Sequence, residues 1–275
     1  MDDYLRAALL GLIQALTEFL PVSSSGHLVI AAELLGDEVN ALTFDVGLHL
    51  GTTAAVLAYF ARDWALIAVS ASRDLRAHGI RLARWRWRSR LGLLLAIGSL
   101  PAVAVGAVLQ LTVEDGLRDP LVVGLALIAG AAAMWALDAY GESRGGLRGI
   151  NGRRAFVIGV AQAAALVPGV SRSAATISAA RGFHITRYAA ARFSFLLSAP
   201  IVIGASGVLL LEALRGAEEV AWGPMLLGAT VAAVAGMFVI RGLLRFVRRR
   251  SLRVFVWYRL ALGAAVLAGV WAGAF

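Results

Sequence analysis

The sequence predicts an all-α integral membrane protein: an inverted-topology repeat with six transmembrane helices plus two re-entrant, broken-helix regions. Three observations carry that prediction. Hydrophobic residues make up 60% of the 275 and charged residues only 16%, against about 45–50% apolar and about 25% charged in soluble domains. Apolar runs of membrane-spanning length recur along the chain, and the loops between them alternate in charge. Two further apolar regions, about 1–40 and 155–187, are broken near their middles by Pro21 and by Pro168-Gly169.

Six runs have the about 17–25 residues that a bilayer-crossing helix needs. They are Leu42–Phe60, Leu91–Leu111, Leu121–Tyr140, Ala189–Glu212, Gly223–Val247 and Val254–Phe275. The loops set their direction. Arg62 to Arg90 holds eight arginines, with Trp85 and Trp87 among them. Loop 141–154 carries Arg144, Arg148, Arg153 and Arg154, and segment 241–253 adds Arg241, Arg245, Arg248, Arg249, Arg250 and Arg253. Thr112–Asp119 and Ala213–Trp222 are acidic, with only Arg118 and Arg215. Arginine-rich loops belong on the cytoplasmic side. With those sides assigned, region 1–40 begins and ends outside, and region 155–187 begins and ends inside. Each must enter the membrane, turn at its proline and leave on the side it came from. Irregular backbone at that depth is tolerated only in contact with protein or a cavity, so the two tips are expected to meet near the midplane.

An internal repeat agrees with this topology. Gly11-x-x-Gln14 followed by Ser23-x-Ser25 recurs as Gly159-x-x-Gln162 followed by Ser171-x-Ser173, all at an offset of 148 residues. Phe44-x-x-x-Leu48-His49-x-Gly51 is echoed by Phe193-x-x-x-Leu197-Ser198-x-Pro200 with one extra residue. The chain is therefore divided into one polytopic domain, 1–275, with repeat one at about 1–140 and repeat two at about 150–275. Inverted repeats place a site between broken helices at their interface.

Composition excludes several functions. The chain has no cysteine, which removes disulfides and thiol-ligated metals. Met1-Asp-Asp-Tyr lacks a basic n-region, so no cleaved signal peptide is expected. The net charge is +9, but all 26 basic residues are arginine and they gather between apolar runs. That pattern is topological and predicts no nucleic-acid partner. The 30 glycines suit close helix packing within one chain or between two, which leaves a homodimer open.

Polar residues at membrane depth usually mark a site. Ser23-Ser24-Ser25-Gly26 precedes the apolar stretch from His27, and Ser171-Arg172-Ser173 precedes Ala174–Ala180. Each tip thus delivers hydroxyls and a helix N-terminus, a combination that binds anions. Simple N-capping would also explain serines there, but not the guanidinium of Arg172, which is suited to phosphate oxygens. Gln14 and Glu18 share one helix face; they can hold a metal, orient a histidine, or tie helices together. His27 can act as a general base or acid or sit hydrogen-bonded in its helix. Asp45 and His49, four apart, form a second shell or a helix–helix hydrogen bond. His78 and His184 lie among the cytoplasmic arginines and are assigned no role.

At these residues the chain resembles the undecaprenyl-diphosphate phosphatase family, the bacitracin-resistance proteins. Its strongest points are Gln14-x-x-x-Glu18-Phe-Leu-Pro-Val-Ser-Ser-Ser-Gly-His27 and Pro168-Gly-Val-Ser-Arg-Ser-Ala-Ala-Thr176. Phe44-Asp-Val-Gly-Leu-His-Leu-Gly51 and Ala191-Arg-Phe-Ser-Phe195 also look like the family. The resemblance covers nearly the whole chain. It implies hydrolysis of undecaprenyl diphosphate to the monophosphate and inorganic phosphate, recycling the lipid carrier for cell-wall synthesis and conferring bacitracin resistance. It implies a divalent cation, Mg2+ or Ca2+, at Glu18 and Gln14, and a home in the bacterial inner membrane; because region 1–40 opens outward, the site is expected to face the outer side. Glu18, Ser24, His27 and Arg172 fall on catalytic positions. Ser24 falls on the nucleophile and His27 on its proton-transfer partner, although His27 activating water is equally open. Ser23, Ser25, Gly169, Ser171, Ser173 and Thr176 fall on substrate-binding positions, with Gln14, Asp45 and His49 behind them. Two residues depart from the pattern: Gln14 stands where many members have glutamate, and Ala174 where glycine is usual. The rival reading is a transporter or flippase of an anionic prenyl-phosphate lipid at the same midplane site.

Overall fold

Apart from one isolated bridge, Gly145–Ile185, every regular element among the described residues is helical. The computed structural model describes residues 2–24, 26–27, 42–112, 119–215 and 221–273, with the side chains of 42–46, 110–112 and 208–215 outside that set. The first half of the chain contains α1 (Asp3–Phe19), α2 (Leu42–Tyr59), α3 (Ala61–His78), α4 (Trp87–Thr112) and α5 (Pro120–Tyr140). The second half contains α6 (Gly152–Ala164), α7 (Arg172–Gly182), α8 (Arg187–Arg215), α9 (Trp222–Phe246) and α10 (Arg253–Trp271). Helices α4, α5, α8, α9 and α10 are each long and apolar enough to cross a membrane, and α2 with α3 forms a sixth candidate, bent by 68°. The protein is a multi-pass α-helical membrane protein. Its outward surface is apolar, as lipid contact requires, with Leu100, Val103, Phe238 and Trp257 all exposed.

One expected loop is a helix. The arginine-rich segment after Phe60 forms α3 before the chain turns at Gly79, whose φ of 55° ends it. Asp63 in its first turn and Arg76 and His78 in its last complement the helix dipole. Only Ile67 and Asp74 are buried on it, Ile67 joining the main core with Trp64 beside it, and its remaining residues are partly or fully exposed.

The second broken region takes the expected form; of the first, residues 28–41 lie outside the described residues. Helix α6 has 13 residues and α7 has 11; at 1.5 Å per residue they reach roughly 20 and 16 Å, against about 30 Å of hydrocarbon. Neither spans alone. The chain entering α6 and the chain leaving α7 are tied to each other. Arg144 and Gly145 N–H both donate to the His184 carbonyl at 3.0 Å, and Thr186 N–H donates to the Gly145 carbonyl at 2.8 Å. Entry and exit therefore share one side.

The halves exchange partners. Helix α1 packs chiefly on α9 of the other half, while its repeat counterpart α6 packs chiefly on α4. Both contacts run through glycine. A Cβ at Gly11 would strike the Gly228 carbonyl, and a Cβ at Gly159 would strike the Gly98 carbonyl. Backbones approach this closely only where side chains are absent. Helices α5 and α10 pair with each other, and α2 packs chiefly on α9 and next on α8. At the centre, Phe19 and Phe195 meet edge to face at 5.6 Å with Phe60 beside them.

Candidate active site

The two tips begin where their helices can no longer continue. Helix α1 stops at Phe19, because Pro21 cannot donate to the helix ladder. Helix α6 stops at Ala164, ahead of Pro168. Ser23 (φ 78°) and Ser171 (φ 67°) then both adopt left-handed backbone, rare for a residue with a side chain. Each turns its hydroxyl back on the chain: Ser23 Oγ accepts from Gly26 N–H and Ser171 Oγ from Ala174 N–H, both at 3.3 Å. Positions 148 residues apart thus share one strained cap. Gly169 has φ 94°, and a Cβ there would lie 2.5 Å from the Val123 carbonyl. Val123 on α5 also lies against Gly26 of the first tip, so α5 backs both.

The tips meet at Glu18. Its Oε2 accepts from Ser24 Oγ at 2.7 Å and from Gln14 Nε2 at 3.3 Å, and its Oε1 accepts from Arg172 Nη2 at 2.7 Å. The carboxylate is 9% exposed and the guanidinium 15%, so the pair is sheltered while one edge of Arg172 stays reachable. Nη1 of Arg172 is buried and has no hydrogen-bond partner. Ser173 Oγ donates to the Leu20 carbonyl at 3.0 Å, a second bond between the tips. His49 on α2 lies close enough to act electrostatically on Glu18.

Other predicted residues are turned elsewhere. His27 Nδ1 contacts the Ser23 carbonyl at 2.7 Å and must carry the proton there, so Nε2 accepts from Tyr258 Oη at 2.6 Å. The imidazole stacks on that phenol, rings nearly parallel with centroids 5.7 Å apart. Neither ring nitrogen faces Ser24. Thr176 is fully buried, spending its hydroxyl on the Arg172 carbonyl at 2.8 Å and on Ser194 Oγ at 2.6 Å. Ser171 and Ser173 hydroxyls lie 3.3 Å apart. Asp45 stands on α2, but its side chain, like all of Ser25, lies outside the described residues. His184, given no role, accepts from Glu142 N–H at 3.2 Å and helps close the entry to α6.

Gln14 bears on a cation. Its amide nitrogen faces Glu18, which turns Oε1 away, and that oxygen is buried with no hydrogen-bond partner. A hard divalent cation takes such oxygen donors and completes its shell with water and substrate phosphate. The residues fit that role, though no group of three or more His, Asp or Glu stands together among the described residues.

Sequence reasoning missed two neighbours on α10. Tyr258 holds His27, and Arg259, fully buried, donates Nη2 to the Gly169 carbonyl at 3.0 Å. Adjacent residues thus grip one tip each. Arg259 carried a signal, a charge inside an apolar run; Tyr258 carried none. Beside His27 opens an apolar groove of about 380 Å³ lined by Leu16, Leu20, Val22, Val254 and Phe255.

A polytopic membrane protein with a carboxylate, serine and arginine joined between opposed broken helices belongs to the class that handles anionic groups within the bilayer. More particularly, the chain belongs to the BacA family, the bacitracin resistance proteins, whose pattern matches residues 7–265. Similar proteins include one named undecaprenyl-diphosphatase from Geobacter sulfurreducens, 43% identical over 98% of this chain and 99% of its own. Proteins of the same name from Alcanivorax borkumensis (41% identical over 96% of this chain and 98% of theirs) and Nocardioides (40%, 97% and 96%) are also similar.

Proposed function

We propose that the protein is an undecaprenyl-diphosphatase, hydrolysing undecaprenyl diphosphate to undecaprenyl phosphate and inorganic phosphate. The observation that carries this is Glu18, held at 2.7 Å by a serine hydroxyl of one tip and at 2.7 Å by an arginine of the other, in a chain whose relatives bear that name. Ser24 Oγ attacks the terminal phosphorus and gives its proton to Glu18. The bond from that phosphorus to the bridging oxygen breaks, and the prenyl monophosphate leaves. Water then cleaves the phosphoserine, releasing inorganic phosphate and restoring the serine proton. Arg172 uses Nη1, which has no partner in the protein, to grip phosphate oxygens while Nη2 stays on Glu18. Charge stabilisation of this kind supplies most of the rate in phosphoryl transfer. Glu18 and Gln14 would hold a Mg2+ or Ca2+ ion, the Gln14 amide turning to bring Oε1 to the carboxylate, and the ion would neutralise diphosphate charge.

The alternative base, His27, has both ring nitrogens occupied, which favours Ser24 over water activated by histidine. The groove beside His27 accepts the first isoprene units of the substrate. A flippase would need the anion grip but has no use for a hydroxyl bonded to a carboxylate. Because region 1–40 opens outward in the charge-based topology, the site faces the outer side of the bacterial inner membrane. There the reaction recycles the lipid carrier and removes the diphosphate that bacitracin recognises.

The test is phosphate release from a C55 or C15 prenyl diphosphate by purified protein in detergent. Wild type should turn over, EDTA should stop it, and Mg2+ or Ca2+ should restore it. Ser24→Ala and Arg172→Ala should each fall by about 10²-fold or more. Near-normal turnover in both variants refutes this mechanism, and a phosphate label trapped on Ser24 separates nucleophilic attack from water activation.

A further inference from the structure

Away from the tips, the structure holds a second, cationic cleft. It opens between α3, the start of α4, the turn at Leu147–Gly149 and α8, with a volume of about 600 Å³. Its floor is apolar, made by Ile67 and Leu91, both buried, with Leu66 and Val69 beside them. Its rim carries Arg73, Arg86, Arg88, Arg148 and Arg192 against one carboxylate, Asp63. That carboxylate is already taken by Arg192 Nη2 at 2.6 Å. Arg86 pairs with Asp74 at 3.4 Å. Arg73, Arg88 and Arg148 have no carboxylate partner among the described residues. Three exposed guanidinium groups therefore converge on an apolar floor with no charge to answer them.

The walls are built rather than incidental. Asp74, fully buried, accepts from Arg86 N–H and from Ser89 Oγ, both at 2.6 Å, locking α3 to the first turn of α4. Trp85 Nε1 donates to the Gly79 carbonyl at 3.0 Å across the intervening turn. Arg192 lies over the Phe60 ring at 5.8 Å, fixing the wall from α8. Trp87 lines the cleft where α4 enters the membrane, a depth at which tryptophan concentrates. The positive-inside pattern puts this cleft at the cytoplasmic surface.

We propose that this cleft is a binding site for an anionic phospholipid of the cytoplasmic leaflet, with phosphatidylglycerol chemistry. The phosphodiester is held by Arg73, Arg88 and Arg148, and the upper acyl chain lies on Ile67 and Leu91. Basic pockets between membrane helices on the cytoplasmic side recognise such headgroups, and planar guanidinium groups suit phosphate oxygens. The occupant is a lipid rather than free phosphate because apolar side chains line the cleft beside the guanidinium groups. The site is separate from the tips and does not depend on the hydrolase assignment.

Delipidated wild-type protein in detergent would be titrated with phosphatidylglycerol, phosphatidylcholine, undecaprenyl phosphate and inorganic phosphate, with bound ligands counted by native mass spectrometry. The comparison is with Arg73→Gln/Arg88→Gln/Arg148→Gln, and with Arg245→Gln/Arg249→Gln/Arg250→Gln as a control of equal charge elsewhere on the same side. Expected is one retained phosphatidylglycerol, weakened at least about tenfold in the cleft variant and by raised salt. The control variant should bind as wild type, and phosphate release by the lipid-free cleft variant should be unchanged. Equal retention of phosphatidylcholine, displacement by inorganic phosphate, or tighter binding of undecaprenyl phosphate that the cleft variant loses each overturns the assignment, as does equal loss in both variants. A photoactivatable phosphatidylglycerol on wild type gives a reading that needs no variant. Crosslinks to α3, the start of α4, the 147–149 turn or the start of α8 support the site, and crosslinks confined to other segments overturn it.

Discussion

Glu18 is where the residue-scale consequences concentrate. It is the acceptor for both a hydroxyl and a guanidinium, so replacing it removes a base and strands a buried cation at once. Glu18→Gln should lower phosphate release by about 10²–10⁴-fold, the usual worth of a positioned acid–base group. Glu18→Ala should in addition destabilise the fold by about 3–5 kcal/mol, because Arg172 is left buried and unpaired. Thermal unfolding in detergent separates the two effects. Tyr258 makes a different kind of contribution, since it touches His27 and not the carboxylate. If the phenol acts by holding the imidazole, Tyr258→Phe and His27→Ala should not add. The double variant should be no worse than the worse single one, within about 0.5 kcal/mol of transition-state free energy. Independent losses that sum fully would separate Tyr258 from His27.

At the scale of elements, the tips are caps turned inward. Ser23 and Ser171 adopt the same left-handed conformation and close the same hydrogen bond to the residue three further on. That conformation is costly for serine, of order 1–3 kcal/mol, and it persists because neighbouring elements over-determine it. Gly169 is one of those constraints, pressed on α5 with positive φ. Gly169→Ala should cost about 1–3 kcal/mol in stability. It should lower turnover more than it lowers the unfolding temperature alone explains, since Arg172 sits three residues beyond. Retained full activity with a lower unfolding temperature would make Gly169 purely structural.

For the whole molecule, the second half is tied together by Asp138 on α5. Its Oδ1 accepts from Arg181 Nε at 2.8 Å and Arg187 Nε at 2.7 Å, and its Oδ2 accepts from Leu252 N–H at 3.2 Å. One carboxylate joins α5, α7, α8 and the entry to α10, anchoring the far end of the helix that presents Arg172. Asp138→Ala leaves two guanidinium groups without their partner and should cost about 3–5 kcal/mol, read as loss of folded protein on size exclusion. The topology has its own check, made simple by a chain without cysteine. Ile80, 87% exposed in the turn after α3, and Trp271, 92% exposed at the end of α10, should lie on opposite faces. Ile80→Cys should react with an impermeant thiol reagent only from the cytoplasm, and Trp271→Cys only from outside. Labelling of both from one side would overturn the arrangement.

Membrane class, five of the expected spans with a sixth candidate, the second broken region and the tip serines were legible in the chain itself. Apolar run length, loop charge and helix-breaking proline are local properties, and they act wherever the residues stand. The amphipathic α3 was hidden, because its arginine content spoke of sidedness and not of helix. What only the tertiary structure decided is which polar groups meet. Glu18 bonds Arg172 from 154 residues away, and His27 turns to Tyr258 from 231 away. A sequence carries no record of such distances, since they follow from glycine-mediated crossing of α1 on α9 and α6 on α4. That packing converts two separate capped tips into one carboxylate with a hydroxyl on one oxygen and a guanidinium on the other.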